Sequence, residues 1–185
     1  MQLHPRGWPR PGGSRMSHLG LLVLMLFSAA FSGANAMQRP DPETAPLFGV
    51  AINSRVVAEI PGFLPYYGVQ SVTPDNAMKM ETIGGCDGWF DFSAADQLVD
   101  YASANGFELH GHTVVWHRQT SWCADSYTKD DYETYVRTVA GHFCGRVPSM
   151  DVVNEALGST SRYRTAEESV WKRLYGNDEY IADAF

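Results

Sequence analysis

The 185-residue sequence is 44 % hydrophobic and 19 % charged, the proportions of a folded globular chain, and wholesale disorder is excluded. Its net charge is −7; Arg6, Arg10 and Arg15 are the only charged side chains before position 37, so the remainder carries 11 basic against 21 acidic residues. An acidic body of that kind argues against nucleic acid as the main partner, which needs clustered lysine and arginine.

Residues 19–31, LGLLVLMLFSAAF, are mostly apolar and uncharged. They are fewer than the roughly 20 residues that span a bilayer. Arginines precede them and the small-x-small triplet Ala34-Asn35-Ala36 follows. Residues 1–36 therefore read as a secretory signal peptide, with a buried helix as the competing reading. Met16 is a second candidate start, because the stretch before it, with Pro5, Pro9, Pro11, Gly12 and Gly13, is unlike a signal peptide; starting there, however, removes every leading arginine. The expected location is outside the cytoplasm, extracellular or periplasmic, with no membrane association after cleavage. Residues 37–46 form a proline-rich lead-in without periodicity. Export permits disulfides. The cysteines, Cys86, Cys123 and Cys144, are odd in number and lack the spacing of a zinc site, so no metal is expected.

From residue 47 short apolar runs alternate with helical periods. LFGVAI (47–52) reads as a strand, and VQSVT (69–73) as a second ending at Pro74. Between them Pro61, Gly62 and Pro65 break any long helix. Ser93 is the expected N-cap of a helix to Asn105, with Asp96 at the capping-box position, a stripe of Ala95, Leu98, Val99 and Ala102, and Gly106 after its end. ELHGHTVVW (108–116) reads as a third strand. Thr128 is the expected cap of a helix with Tyr132, Tyr135, Val136, Val139 and Phe143 on one face. MDVVNEAL (150–157) contains a fourth strand, and 169–185 reads as helix in two pieces broken at Gly176-Asn177.

This rhythm means βαβ units and a parallel sheet. No GxGxxG or P-loop turn is present, which disfavours a nucleotide fold. Two architectures remain, a small doubly wound domain and the front half of a (β/α)8 TIM barrel, which needs about 250 residues. The helix-like end without a stop signal favours the half-barrel, with residues 47–185 as the incomplete N-terminal part of a catalytic barrel.

Ligands in such folds bind at the carboxyl ends of the strands, where three polar clusters lie. Thr73 to Glu81 is dense in donors and acceptors, as a binding loop or a solvated turn would be. His110 and His112 share a strand face; without a third ligand they read better as core histidines or sugar donors than as a metal pair. Trp116 is either a stacking platform or core. In the third cluster Glu155 ends an apolar strand, and burial there would raise its pKa into the range of a general acid. A structural ion pair with Lys79 or an arginine is the alternative.

FGVAIN (48–53), TPDNAMKMET (73–82), FDFSAADQLVDYASANG (90–106), HGHTVVWH (110–117) and DVVNEAL (151–157) together resemble, in order and spacing, the successive blocks of glycoside hydrolase family ten, the endo-1,4-β-xylanases. The resemblance implies that Glu155 is the general acid/base and that Asn154 holds the 2-hydroxyl of the sugar beside the scissile bond. Asn76 and Lys79 match positions that bind xylose on the non-reducing side. His112 and Trp116 match residues lining the subsite at the cleavage point. Asp75, Met80 and Met150 depart from the usual Glu, Trp and Trp, and the two methionines read as packing changes. The implied partners are xylan and xylooligosaccharides, bound without cofactor by a protein that is monomeric when complete.

The family's nucleophilic glutamate comes from a later strand in a TELD-like block, and no such block is present here. The expectation is thus a retaining endo-xylanase of which this chain is an N-terminal fragment, inactive and of low stability alone. A non-catalytic carbohydrate-binding half-barrel, or a cellulase or mannanase of a related barrel family, are the alternatives. The helix leading to Cys144 carries the chain ~24 Å, so Cys123 and Cys144 are expected not to bond, since a disulfide needs Cα atoms within about 7 Å.

Overall fold

The computed structural model describes residues 47–59 and 62–185. The expected leader and lead-in, residues 1–46, lie outside the described residues, as does Pro61.

Four strands pair side by side in chain order, all parallel: β1 (Gly49–Ile52), β2 (Ser71–Pro74), β3 (Glu108–Gly111) and β4 (Ser149–Met150). Parallel neighbours need crossover connections, and helices supply them. The short α1 (Ser54–Glu59) and α2 (Phe63–Tyr66) separate β1 from β2, where the proline and glycine signals exclude a long helix. The short α3 (Met80–Ile83) and the long α4 (Ser93–Asn105) link β2 to β3, and α5 (Lys129–Phe143) links β3 to β4. After β4 come α6 (Val170–Tyr175) and α7 (Glu179–Asp183). Ile52, Val72 and Leu109 from the strands share one core with the α4 stripe of Ala95, Leu98, Val99 and Ala102 and the α5 face of Tyr132, Tyr135, Val136, Val139 and Phe143. Met80 is buried in this core and Met150 packs against it, as packing substitutions would.

The strands are shorter than the apolar runs that announce them. Leu47 and Phe48 precede β1 and are largely exposed. β3 stops at Gly111 and β4 at Met150, yet the two segments stay bonded. The Asp151 N–H donates to the Gly111 carbonyl at 3.0 Å, and the Val114 N–H to the Asp151 carbonyl at 3.1 Å. In a regular parallel ladder those two bonds would fall two positions apart on the β3 side, not three, so one extra residue there bulges out and ends the strand. Pairing resumes at once: the Val115 N–H reaches the Val152 carbonyl and the Asn154 N–H reaches the Val115 carbonyl, both at 2.9 Å.

One cap differs from its expectation. Ser93 is the first residue of α4 rather than its N-cap; that place falls to Phe92, and the Asp91 carboxylate accepts the Ser93 N–H at 2.9 Å. Asp96 does not reach back to close a capping box, because its carboxylate is taken by Arg146 at 2.6 Å and by the His142 ring at 2.8 Å. Burial opposes its charge, but those two partners outweigh it and hold its pKa below the ordinary aspartate value. Thr128 caps α5 as expected, and Asp131 completes a capping box with it, the two exchanging side-chain and backbone bonds. Gly106 ends α4 and Gly176 ends α6, both in the left-handed conformation a C-terminal glycine supplies.

Cys86 and Cys123 form a disulfide, with Cα atoms 5.8 Å apart. Cys144 is an exposed free thiol, so Cys123 is not bonded to it. The bridge ties the loop after β2 to the loop after β3 across 37 residues. Chain entropy gives a closed loop of that length about 4 kcal/mol of stabilisation. Replacing both cysteines by serine in the complete protein should lower its denaturant midpoint accordingly, while Cys144→Ser should leave the midpoint unchanged. Equal midpoints for the double variant and the parent would show that the bridge contributes nothing.

Candidate active site

Because every strand is parallel, the segments after β2, β3 and β4 emerge at one edge of the sheet, and the candidate residues come from all three. From β2 the chain passes through Asp75 and Asn76 to Lys79, which directly precedes α3. Lys79 is buried to 7 % exposure, a costly position for an ammonium. Its Nζ donates to Asn76 Oδ1 at 3.0 Å and to Gln119 Oε1 at 2.9 Å, and lies 4.8 Å from the centroid of the Trp116 ring. The Gln119 amide closes the triangle, Nε2 donating to Asn76 Oδ1 at 3.0 Å. Asp75 is exposed, its N–H anchored to the Ile52 carbonyl at 2.7 Å.

The histidines expected on one strand face both meet Asp151. A carboxylate only accepts hydrogen bonds, so His112 donates through Nδ1 at 2.9 Å and His110 through Nε2 at 3.2 Å. The other His110 nitrogen is hydrogen-bonded with the Ser149 hydroxyl at 2.8 Å. Burial works against the Asp151 charge, but these two histidines outweigh it and keep its pKa below the ordinary value. Among the described residues no group of three or more His, Cys, Asp or Glu side chains is placed to hold a metal ion.

Glu155 follows the β4 segment with φ at +50°, a conformation that costs a non-glycine residue about 1–3 kcal/mol. Three contacts surround it. Trp116 Nε1 donates to Glu155 Oε2 at 2.9 Å, Arg164 Nε donates to the Glu155 backbone carbonyl at 2.7 Å, and Arg164 Nη2 lies 3.5 Å from the carboxylate. His117 Nδ1 stands 3.7 Å from the same oxygen, too far for a hydrogen bond. The expectation of a buried carboxyl with a raised pKa is corrected. The Glu155 side chain is half exposed, and the Trp116 N–H, with help from the nearby cations, outweighs what desolvation remains and lowers its pKa. The turn lifts the carboxylate out of the apolar layer that the strand pattern implied. Of the alternative partners, Lys79 serves Asn76 and Gln119 instead, while an arginine, Arg164, does pair with the carboxylate.

Asn154 is anchored by its N–H to the Val115 carbonyl. Trp116 is held from behind, since Trp171, 1 % exposed, donates its indole N–H to the Trp116 carbonyl at 2.7 Å. One polar chain thus runs from Asn76 through Lys79 and Gln119 to the Trp116 ring and on to Glu155, with His112 6.4 Å from Trp116, ring centroid to ring centroid. Glu168 lines the Glu155 cleft, but its carboxylate is occupied by Arg162 at 3.0 Å and the Thr165 N–H at 2.8 Å.

Sequence reasoning missed Gln119 and Arg164. Gln119 stands two residues past HGHTVVWH and could have been found by extending that block. Arg164 lies in a loop without periodicity, and no local pattern marks it.

The family model described as glycosyl hydrolase family 10 matches residues 44–185. The chain belongs to glycosyl hydrolase family 10. It is 33 % identical over 175 residues to a β-1,4-xylanase of Dictyoglomus thermophilum, an alignment covering 89 % of this chain and 49 % of that protein. It is 40 % identical over 129 residues to endo-1,4-β-xylanase A of Cellvibrio japonicus, covering 62 % of this chain and 20 % of the relative. Among solved structures, xylanase XynB of Paenibacillus barcinonensis superposes with a TM-score of 0.66 at 30 % identity, over 75 % of this chain and 44 % of that one. A thermostable mutant of Xyn10A from Cellvibrio japonicus gives 0.65 at 34 % identity, over 76 % and 46 %. The chain spans about half the length of these relatives, or less. The family 10 fold is a (β/α)8 barrel, and the four parallel strands with their helices are half of it.

Trp116→Phe removes the N–H that stabilises the Glu155 anion and keeps a ring beside Lys79. The Glu155 pKa, read by carbon NMR of labelled glutamate, should rise; an unchanged value would mean that the indole N–H does not control it.

Proposed function

We propose that the complete protein is a secreted endo-1,4-β-xylanase that hydrolyses internal bonds of xylan with retention. The observation that carries this reading is the carboxylate of Glu155 held by the Trp116 indole at the edge of a parallel sheet, joined through that ring to the Asn76–Lys79–Gln119 cluster. Membership of family 10 and the xylanase relatives support it. The Cys86–Cys123 bridge suits an oxidising compartment and supports export.

In this reading Glu155 is the general acid/base. It protonates the leaving glycosidic oxygen, then activates water against the glycosyl-enzyme. Asn154 holds the 2-hydroxyl of the sugar at the cleavage point. Asn76, Lys79 and Gln119 bind hydroxyls of the preceding xylose, and Trp116 and His112 wall the subsite between. A retaining pair sets its second carboxyl about 5–5.5 Å from the first; no residue of this chain is assigned that role. A carboxylate so close would oppose the Trp116 N–H and push the Glu155 pKa up, toward that of an acid protonated when substrate arrives. The Glu155 proton would be lost as pH rises through that pKa, which sets the alkaline limb of the rate profile.

Glu155→Gln in the complete protein keeps shape without an acidic proton to transfer. Xylan hydrolysis should fall by about 10²–10⁴-fold. Aryl xylobiosides with a good leaving group need no proton and should lose far less in the glycosylation step. Equal losses of that step on both substrates would overturn the acid/base role.

A further inference from the structure

Two indoles stand far out of the core on the disulfide-bridged loops, Trp89 at 61 % and Trp122 at 82 % exposure. Both line one recess of about 380 Å³, together with Glu81, Gly84, Cys86 and Thr120. Neither indole contributes to the polar chain around Glu155. Their exposure is unusual for the largest apolar side chain, which normally keeps a polar handle and buries its body.

The recess is built rather than incidental. Trp89 has one face supported: a Cβ at Gly84 would fall 2.9 Å from its ring carbons, so the absence of a side chain there, at φ +96°, lets the indole lie against bare backbone. Gly85 donates its N–H to the Trp89 carbonyl at 2.8 Å, and Trp89 donates its own to the Cys86 carbonyl at 2.9 Å. The second wall is fixed by Ser121, whose hydroxyl sits 2.6 Å from the Gly84 carbonyl and 3.0 Å from that of Met80. The Cys86–Cys123 bond closes the pair of loops, with Trp122 next to one of its cysteines. The recess is tied to the Asn76–Lys79–Gln119 cluster, because the Glu81 N–H donates to the Gln119 carbonyl at 2.7 Å.

We propose that this recess is an additional sugar subsite, a stacking platform for xylosyl units lying beyond the Asn76–Lys79–Gln119 cluster along the same chain. It rests on the xylanase reading and extends it. A pyranose ring is neutral, presents an apolar C–H face to an indole and hydroxyls at its edge, and Glu81 and Thr120 stand at the rim to meet them. A polyanion is a poor occupant beside Glu81 on a body this acidic. Gln119 and Trp122 are three residues apart, ~10 Å of chain at most, so a sugar on the platform neighbours one held by the cluster. The platform thus gives the protein a preference for longer chains.

The test uses the complete protein in a Glu155→Gln background, with xylotriose and xylohexaose titrated by calorimetry. Trp122→Ala and Trp89→Ala should each weaken xylohexaose binding about tenfold, the equivalent of roughly 1.4 kcal/mol, and leave xylotriose binding unchanged. Trp89→Phe, which keeps a ring against Gly84, should lose less than Trp89→Ala. If the parent binds xylohexaose and both alanine variants match it, the platform is refuted and the xylanase reading stands. If the parent binds neither oligosaccharide, and the unmutated protein releases no sugar from xylan, both readings fall together.

Discussion

The two hydrogen bonds between Val115 and the Val152–Asn154 segment hold the candidate site together. They resume the sheet after the bulge opposite Asp151, and the residues on either side of them, Trp116 and Glu155, are the ones that touch. If the pairing slipped by one residue, every side chain beyond it would change face. The indole N–H would then miss the carboxylate, and the Lys79 ammonium would lose its aromatic neighbour. The core beneath serves this register: Leu109, Val114 and Val115 are buried in one cluster with the α4 and α5 stripes, and Trp171 of α6 fastens the Trp116 carbonyl.

Charge in the site follows from neighbours more than from depth. Lys79 is buried yet satisfied by two amide oxygens and a ring face, an arrangement that keeps an ammonium in place without a carboxylate beside it. Two histidines hold the Asp151 pKa below its ordinary value against burial, and an indole does the same for Glu155. The sign matters for stability. A carboxyl whose folded pKa lies below its unfolded value stabilises the fold at neutral pH, and that contribution is lost as pH falls through the folded pKa. Asp96, Asp151 and Glu155 all lie on that side, so acid removes the ties between α4 and α5 and around Glu155 together.

The loops after β2 and β3 are joined repeatedly, by the Cys86–Cys123 bond, by the Ser121 hydroxyl, by the Glu81–Gln119 backbone bond and by Gln119 on Lys79 and Asn76. Loops at the mouth of a parallel sheet are ordinarily its mobile part. Here the joined pair carries both the Asn76–Lys79–Gln119 cluster and the Trp89–Trp122 recess. Cross-linked loops suit recognition of a stiff, neutral chain, since little freedom is lost when the ligand arrives.

Much of this was legible in the residues. The alternation of apolar runs and 3.6-residue stripes announced parallel βα units, because each side-chain period follows from local backbone geometry. The Thr128 cap of α5, the glycines ending α4 and α6 and the break at Gly176 were readable for the same reason. Five ordered motif blocks named the family and picked out Asn76, Lys79, His112, Trp116, Asn154 and Glu155. Tertiary structure decided what depends on contacts distant in sequence. Asp96 abandoned its capping role because Arg146, fifty positions on, offered a stronger partner. Cys86 rather than Cys144 met Cys123 because two loops converge at one edge of the sheet. Gln119 and Arg164 joined the site only when the chain brought β2, β3 and the segment beyond β4 side by side. Glu155 sits at a positive-φ turn with its side chain half exposed, and its lowered pKa came from the Trp116 N–H. A strand pattern cannot encode that turn, because the pattern records which face a residue takes and not where the strand lets go.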